Sequence, residues 1–149
     1  MDALQWGGVL HYGTHNGSRI GMHAARACLR VLTRDHHAAF RHTWRIAERL
    51  CSGLRDLFQR KGCGIIVQSV GPMFQPMFTD RPAIRDYRDF CQFVDRAAFQ
   101  KFVLSLFQFG VYASPSAALH SIVTLAHTDE DVESTIEAAG KALDDLASG

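Results

Sequence analysis

Lysine is scarce in this chain: Lys61, Lys101 and Lys141 are the only three in 149 residues. That scarcity excludes the phosphate loop of nucleotide hydrolases. Gly8 to Gly13 has the glycine spacing of G-x-x-x-x-G-K-[ST], but Thr14 stands where the lysine must be. G-x-G-x-x-G and G-x-S-x-G are both absent, which removes the dinucleotide fingerprint and the usual hydrolase elbow. No apolar run reaches the ~18 residues of a membrane span. Met1 to Gly8 lacks the basic region and apolar core of a signal peptide, so the expectation is a cytoplasmic chain with no membrane partner. A charge excess is also missing. The formal net charge of +1 argues against a nucleic-acid partner. The four cysteines, at 28, 51, 63 and 91, form no C-x-x-C pair; Cys28 and Cys51 fall on apolar helix faces, and buried free thiols are expected. Eight histidines invite a metal, yet His36 and His37 are adjacent and His42 is five or six residues on, not at helical ligand spacing. His120 and His127 could meet only through the tertiary fold. No metal is expected.

What is present suits one independent domain. Hydrophobic residues make up 47% and charged residues 21%, an ordinary balance for a globular chain with a core of its own. Residues 1–12 are Gly-rich, with Val9 to Tyr12 able to form a short strand. Gly13-Thr14-His15-Asn16-Gly17-Ser18 then reads as a glycine-bounded loop feeding a helix. Ile20, Ala24, Ala27, Cys28, Val31 and Leu32 have helical spacing and small side chains that would admit a close neighbour, and Ser18 is its N-cap. A longer helix is expected from Asp35 to Lys61. Its stripe is Phe40, Trp44, Ala47, Leu50, Cys51, Leu54, Leu57 and Phe58; its other face carries Arg41, Arg45, Arg49, Arg55, Arg60 and Lys61. That face is read as solvated, with polyanion binding as the weaker alternative.

Ile65 to Val70 and Met73 to Thr79 read as neighbouring strands, with Pro76 tolerable only at an edge or bulge. Asp80 to Asp89 reads as a surface loop. Asp95 to Phe109 is a helix whose core positions are Phe99, Phe102, Val103, Leu106 and Phe109. Val111 to Ala113 and Ser121 to Ala126 are expected strands. Thr128 caps a last helix with acids in its first turn and a stripe of Val132, Ile136, Ala139, Leu143 and Leu146. The layout is α+β: a small, largely antiparallel sheet with helices packed on it.

The opening loop is the one stretch with chemistry to offer. A glycine-bounded helix start aims backbone N–H groups and the positive end of the helix dipole at one spot. Thr14 adds a hydroxyl and residues 14–18 their amides, and three phosphate oxygens suit such a site better than a carboxylate. The plainer reading is a turn and an N-cap that bind nothing. No catalytic residue stands out.

Four stretches together resemble a known family. Gly13-Thr14-His15-Asn16-Gly17 with its Ala-containing helix is similar to the Gly-Thr-x-x-Gly-Asn-Pro loop of class III pyridoxal-phosphate aminotransferases. Val70-Gly71-Pro72-Met73-Phe74 with Phe78-Thr79-Asp80 looks like that family's Val-Gly-x-Met-Phe and Phe-Thr-Asp. Gly110-Val111-Tyr112 with Pro115-Ser116, and Leu125 to Asp131, resemble the end of glutamate-1-semialdehyde aminomutases. The resemblance runs from about His11 to Leu146. It implies the C-terminal portion of the aspartate-aminotransferase-like fold. Residues 1–18 would be the cofactor-phosphate loop and lead-in, and 19–149 the small domain, in one compact domain overall.

The resemblance also implies pyridoxal phosphate as cofactor, with Gly13 and Thr14 touching only its phosphate, across a dimer interface. The family's Schiff-base lysine lies before this loop, and none of the three lysines here matches it. The implied role is therefore part of an aminotransferase or aminomutase, inactive alone, that pairs as a homodimer or with an N-terminal aminotransferase portion and acts on a small amino or keto compound. The alternative is a non-catalytic α+β dimerisation domain. Ser18-Arg19 replaces the family's Asn-Pro. Ala117-Ala118-Leu119 replaces the aminomutase's Gln-Phe-Glu, which favours a sibling aminotransferase.

Overall fold

The long apolar stripe expected between Asp35 and Lys61 organises the computed structural model, which describes residues 12–148. The expected strand at Val9 to Tyr12 lies almost wholly outside them. The chain divides into two compact units, Met1–Ala39 and Phe40–Gly149. The first carries helix α1, Arg19–Leu32, one residue longer than its apolar pattern. Its small side chains were expected to admit a close neighbour. None of its residues is buried, and Ile20 is 86% exposed.

Helix α2 spans Arg34–Arg60, but Asp35, His36 and His37 have φ of 51, 53 and 64°. Such left-handed dihedrals cost a non-glycine residue about 1–2 kcal/mol each. The regular right-handed turns therefore begin only after His37, later than the expected start at Asp35. From Ile46 onward the stripe is buried as its spacing requires: Ala47, Leu50, Cys51, Leu54, Leu57 and Phe58 enter the core. Phe40 and Trp44 remain exposed, although the same periodicity includes them. Gly62, at φ +64°, ends the helix, and the Cys63 N–H donates back to the Phe58 carbonyl.

Strands β1 (Ile65–Val70) and β2 (Met73–Phe78) form an antiparallel hairpin closed by Gly71-Pro72, with Val70 opposite Met73. Gly71 takes φ +56°, the value a tight hairpin turn demands at its first central residue. Pro76 faces Val67. Counting out from the closing pair, this is a non-hydrogen-bonded position, so the proline nitrogen points away from β1. On that side stands β3, which is only Ser121–Ile122 and pairs with Met73 and Phe74. The sheet order is β1-β2-β3, so Pro76 sits in the central strand but past the end of its neighbour. The edge position that proline requires is thus preserved.

Two further expectations need correction. Val111 to Ala113 is not a strand, and the last strand covers two residues rather than Ser121 to Ala126. Asp80 to Asp89 is not all loop: helix α3, Tyr87–Phe93, begins within it. The Asp86 carboxylate accepts from the Arg88 and Asp89 amides, and Phe90 is buried beneath. Helix α4, Arg96–Gln108, is capped by Asp95 in the same way. It buries Phe99, Phe102, Val103 and Leu106, whereas Phe109 is 41% exposed beyond its end. Helix α5, Asp129–Ser148, starts as its capping pattern requires: the Thr128 N–H donates to Asp131 Oδ2 at 2.7 Å, and the Asp131 N–H to Thr128 Oγ1 at 3.3 Å. The α+β class with a small antiparallel sheet is the fold observed. No helix among the described residues is long and apolar enough to cross a membrane.

Candidate functional site

The loop at Gly13 to Ser18 folds as two successive turns. The Asn16 N–H donates to the Gly13 carbonyl and the Ser18 N–H to that of His15, both at 3.1 Å. Ser18 is the N-cap, its Oγ accepting from the Gly21 N–H at 3.1 Å. The Met22 N–H already closes onto the Ser18 carbonyl. Two amides expected to face an anion, those of Asn16 and Ser18, are therefore spent within the loop. The first two helical amides, Arg19 and Ile20, donate to nothing among the described residues, as the geometry of a helix start dictates. That N1 and N2 signal was available from the Ser18 cap and went unread in the sequence.

Gly13 has a local steric reason. A Cβ there would lie 2.8 Å from the Asn16 side-chain oxygen, so the glycine lets the carboxamide fold back over the turn. An added Cβ on Gly17 meets no atom within 4 Å, leaving open space beside that amide. Thr14 is exposed, and no described residue bonds its hydroxyl. The loop thus offers one hydroxyl and a helix start, and contains no carboxylate.

The basic face of α2 is spent inside the second unit. Arg45 donates to both Asp129 oxygens, at 2.8 and 3.0 Å. Arg49 donates to Asp129 as well, and to Glu133 at 2.6 Å. Arg55 reaches the Val67 carbonyl at 2.9 Å and Ser69 at 3.0 Å, and Lys61 pairs with Asp144. These pairs tie α2 to α5 and β1 and engage four of the six cations on that face. Hydrogen bonding from Arg45, then from Arg49, holds the Asp129 carboxyl down at about 2 and raises Arg45. The backbone N–H and the hydroxyl of Thr128 lower Asp131 likewise. A carboxylate depressed in the folded state contributes stability above its unfolded value and loses it as pH falls through the folded value. Acid unfolding should accordingly show an Asp129 component between pH 3.8 and about 2. Urea titrations at pH 5 and pH 2.5 should show wild type losing more stability than Asp129→Asn, and equal losses would refute this.

Lys61 is tied to Asp144, Lys141 to Glu137 at 2.6 Å, and Lys101 is exposed on α4. Among the described residues no cluster could hold a metal ion. The cysteines are free. Burial pushes the Cys51 thiol up, while Cys28 and Cys91 are exposed, contrary to the expected burial on the α1 face.

An open cleft of about 540 Å³ lies on the sheet face bearing Gln68, Val70, Met73, Gln75 and Met77. The Gln68 side chain pins the approach to α3, donating to the Ile84 carbonyl and accepting its N–H. Gln75 donates to the Ala117 carbonyl, fixing the segment that leads into β3. The other quoted stretches resolve into turns and caps. Gly110, at φ +84°, ends α4, with the Val111 N–H on the Leu106 carbonyl, and the Thr79 N–H donates to the Gly64 carbonyl at 2.7 Å.

No family model matches the sequence. Solved structures do match the fold. A transaminase with PLP bound superposes with a TM-score of 0.74 at 22% identity, over 95% of this chain and 31% of that one. A glutamate-1-semialdehyde-aminomutase variant from Pseudomonas aeruginosa PAO1 in complex with PMP gives 0.78 at 23%, over 93% and 30%. An omega-transaminase from Sphaerobacter thermophilus gives 0.74 at 21%, over 93% and 31%. The chain therefore has the fold of a portion of these PLP-dependent transferases and spans less than a third of their length. The fold that the four sequence stretches imply is the one observed.

Proposed function

We propose that this chain supplies the phosphate-anchoring loop and small domain of a pyridoxal-phosphate-dependent aminotransferase. A further polypeptide portion of the same fold would bring the cofactor lysine. The observation that carries this reading is the match over 93% of the chain to a structure holding the phosphorylated cofactor as PMP. The loop suits a phosphate: Thr14 and the amides of Arg19 and Ile20 are donors, and the space beside Gly17 is open. Thr14 would donate its hydroxyl, and the helix dipole would favour the anion. When bound, the cofactor supplies an electron sink for amino-group transfer. The three lysines do not fit its amine-bearing half. Two are ion-paired, and all three lie outside the loop, Lys61 at a helix end and Lys101 and Lys141 on helices, so this chain alone holds only the phosphate.

The substrate would be a small amino or keto compound. Ala117-Ala118-Leu119 favours an aminotransferase over an aminomutase. The exposed apolar residues on one face of α1, Ile20 and Val31, support a pairing surface for a homodimer or for the lysine-bearing portion. Exposed free thiols at Cys28 and Cys91 support a cytoplasmic setting.

The test is equilibrium dialysis of pyridoxal phosphate against the chain co-expressed with an N-terminal aminotransferase portion. Thr14→Ala should weaken binding roughly 10- to 100-fold, the loss of one hydrogen bond to a charged group. Binding that ignores Thr14→Ala, or no binding at all, would sink the proposal. A well-folded monomer in sedimentation would remove the pairing surface.

A further inference from the structure

The second unit contains an apolar pocket of about 160 Å³ that none of the chemistry above uses. Its deep wall includes Leu54, Phe58, Phe102 and Val103, none more than 4% exposed. Its mouth lies by Tyr112, Ile122 and His127. Two of the four polar side chains in the lining are engaged elsewhere. Thr135 Oγ1 donates to the Asp131 carbonyl of its own helix at 2.7 Å, and His127 Nδ1 accepts from the Thr124 N–H at 3.0 Å. A trapped water needs two to four polar partners, and the deep wall has none to give. The deep wall belongs to the close-packed core, so the void does not collapse at no cost.

Its size decides what it can take. An apolar protein cavity of roughly 150 Å³ stays dry and binds benzene or xenon. We infer that this pocket is a binding site for a small, uncharged apolar molecule of about one aromatic ring. The ligand enters between Tyr112 and Ile122 and rests against Phe58 and Phe102. A carboxylate or phosphate would be excluded there, because no donor lines the deep wall and a buried unpaired charge is costly. The site is separate from the Gly13–Ser18 loop, so its failure in a test would leave the proposed function untouched.

The experiment uses the whole chain with benzene as probe and thermal unfolding as readout. Benzene at about ten times its Kd should raise the midpoint saturably by roughly 3–8 °C. Ala139 lines the pocket and is 1% exposed, so Ala139→Leu places a larger side chain in the void and should abolish the rise. Ala113→Leu, from another part of the lining, serves the same purpose if the first variant does not fold. Xenon, followed through methyl shifts of Leu54 and Val103, gives a second reading that needs no variant. No saturable rise in wild type, a rise that persists undiminished in a folded filled variant, or xenon shifts confined to residues outside the pocket would overturn the inference.

Discussion

Phe58→Ala is expected to lower the stability of the second unit by about 3–5 kcal/mol, the cost of removing a fully buried phenylalanine. Phe58 is 1% exposed and is among the largest fully buried side chains of the chain. It joins α2 to α4 through an edge-on contact with Phe102, ring centroids 6.3 Å apart at 78°. Phe102 in turn lies 5.5 Å from Phe78 at the end of β2. One truncation therefore loosens the helix layer and the sheet together. The 160 Å³ pocket bordering Phe58 makes the cost steeper, because the new void merges with one already present and the neighbours have little to collapse onto. Phe107→Ala is the control. That ring is 63% exposed and meets Tyr112 edge-on, so its loss should stay within about 0.5 kcal/mol. Urea midpoints with unchanged slope would measure both. Similar losses at the two positions would mean that the burial described for α2 and α4 is wrong.

Gly71→Val should cost about 1–3 kcal/mol, and for a conformational reason rather than a steric one. The position holds φ +56°, where a β-branched residue is a true outlier. Space is not the constraint: a Cβ there would meet the Trp44 ring at 3.7 Å, an ordinary contact. The two explanations separate cleanly in the variant Gly71→Asn. Asparagine is larger than alanine but visits the left-handed region readily. It should recover most of the loss. If Asn and Val cost the same, the Trp44 ring rather than the backbone angle is what demands glycine. The register of the whole hairpin depends on this turn, since Val70 must stand opposite Met73 for Ile65 and Val67 to face the core. A fall in the cooperativity of unfolding beside the shift in midpoint would report that slip.

The opening loop marks how far the residues alone could be read. Its cap was legible, because Ser18 before an apolar-periodic run is a local signal with a local partner, the Gly21 N–H. Its donor set was legible only in part. Which amides remain available depends on the turn hydrogen bonds, and those tie up Asn16 and Ser18. The proposed phosphate contact has accordingly moved from the amides of 14–18 towards Thr14 and the helix start.

The sequence by itself determined α4, α5, most of α2, the hairpin and the caps at Ser18 and Thr128. Each rests on spacings of two to four residues, within reach of local periodicity. It also determined the family resemblance whose fold the structure bears. Tertiary structure alone decided the rest. Phe109, Phe40 and Trp44 continue apolar stripes yet stay exposed, because a stripe is buried only as far as a neighbouring element extends. Helix α3 forms in a charged, proline-containing stretch because Asp86 caps it and Phe90 finds a core beneath. Arg45 and Arg49 of α2 are bound to acids 80 or more residues away, and the apolar pocket is lined from α2, β2, α4, β3 and α5 at once. Contacts at such separations leave no periodic trace in the chain; only the packing of the elements brings them into being.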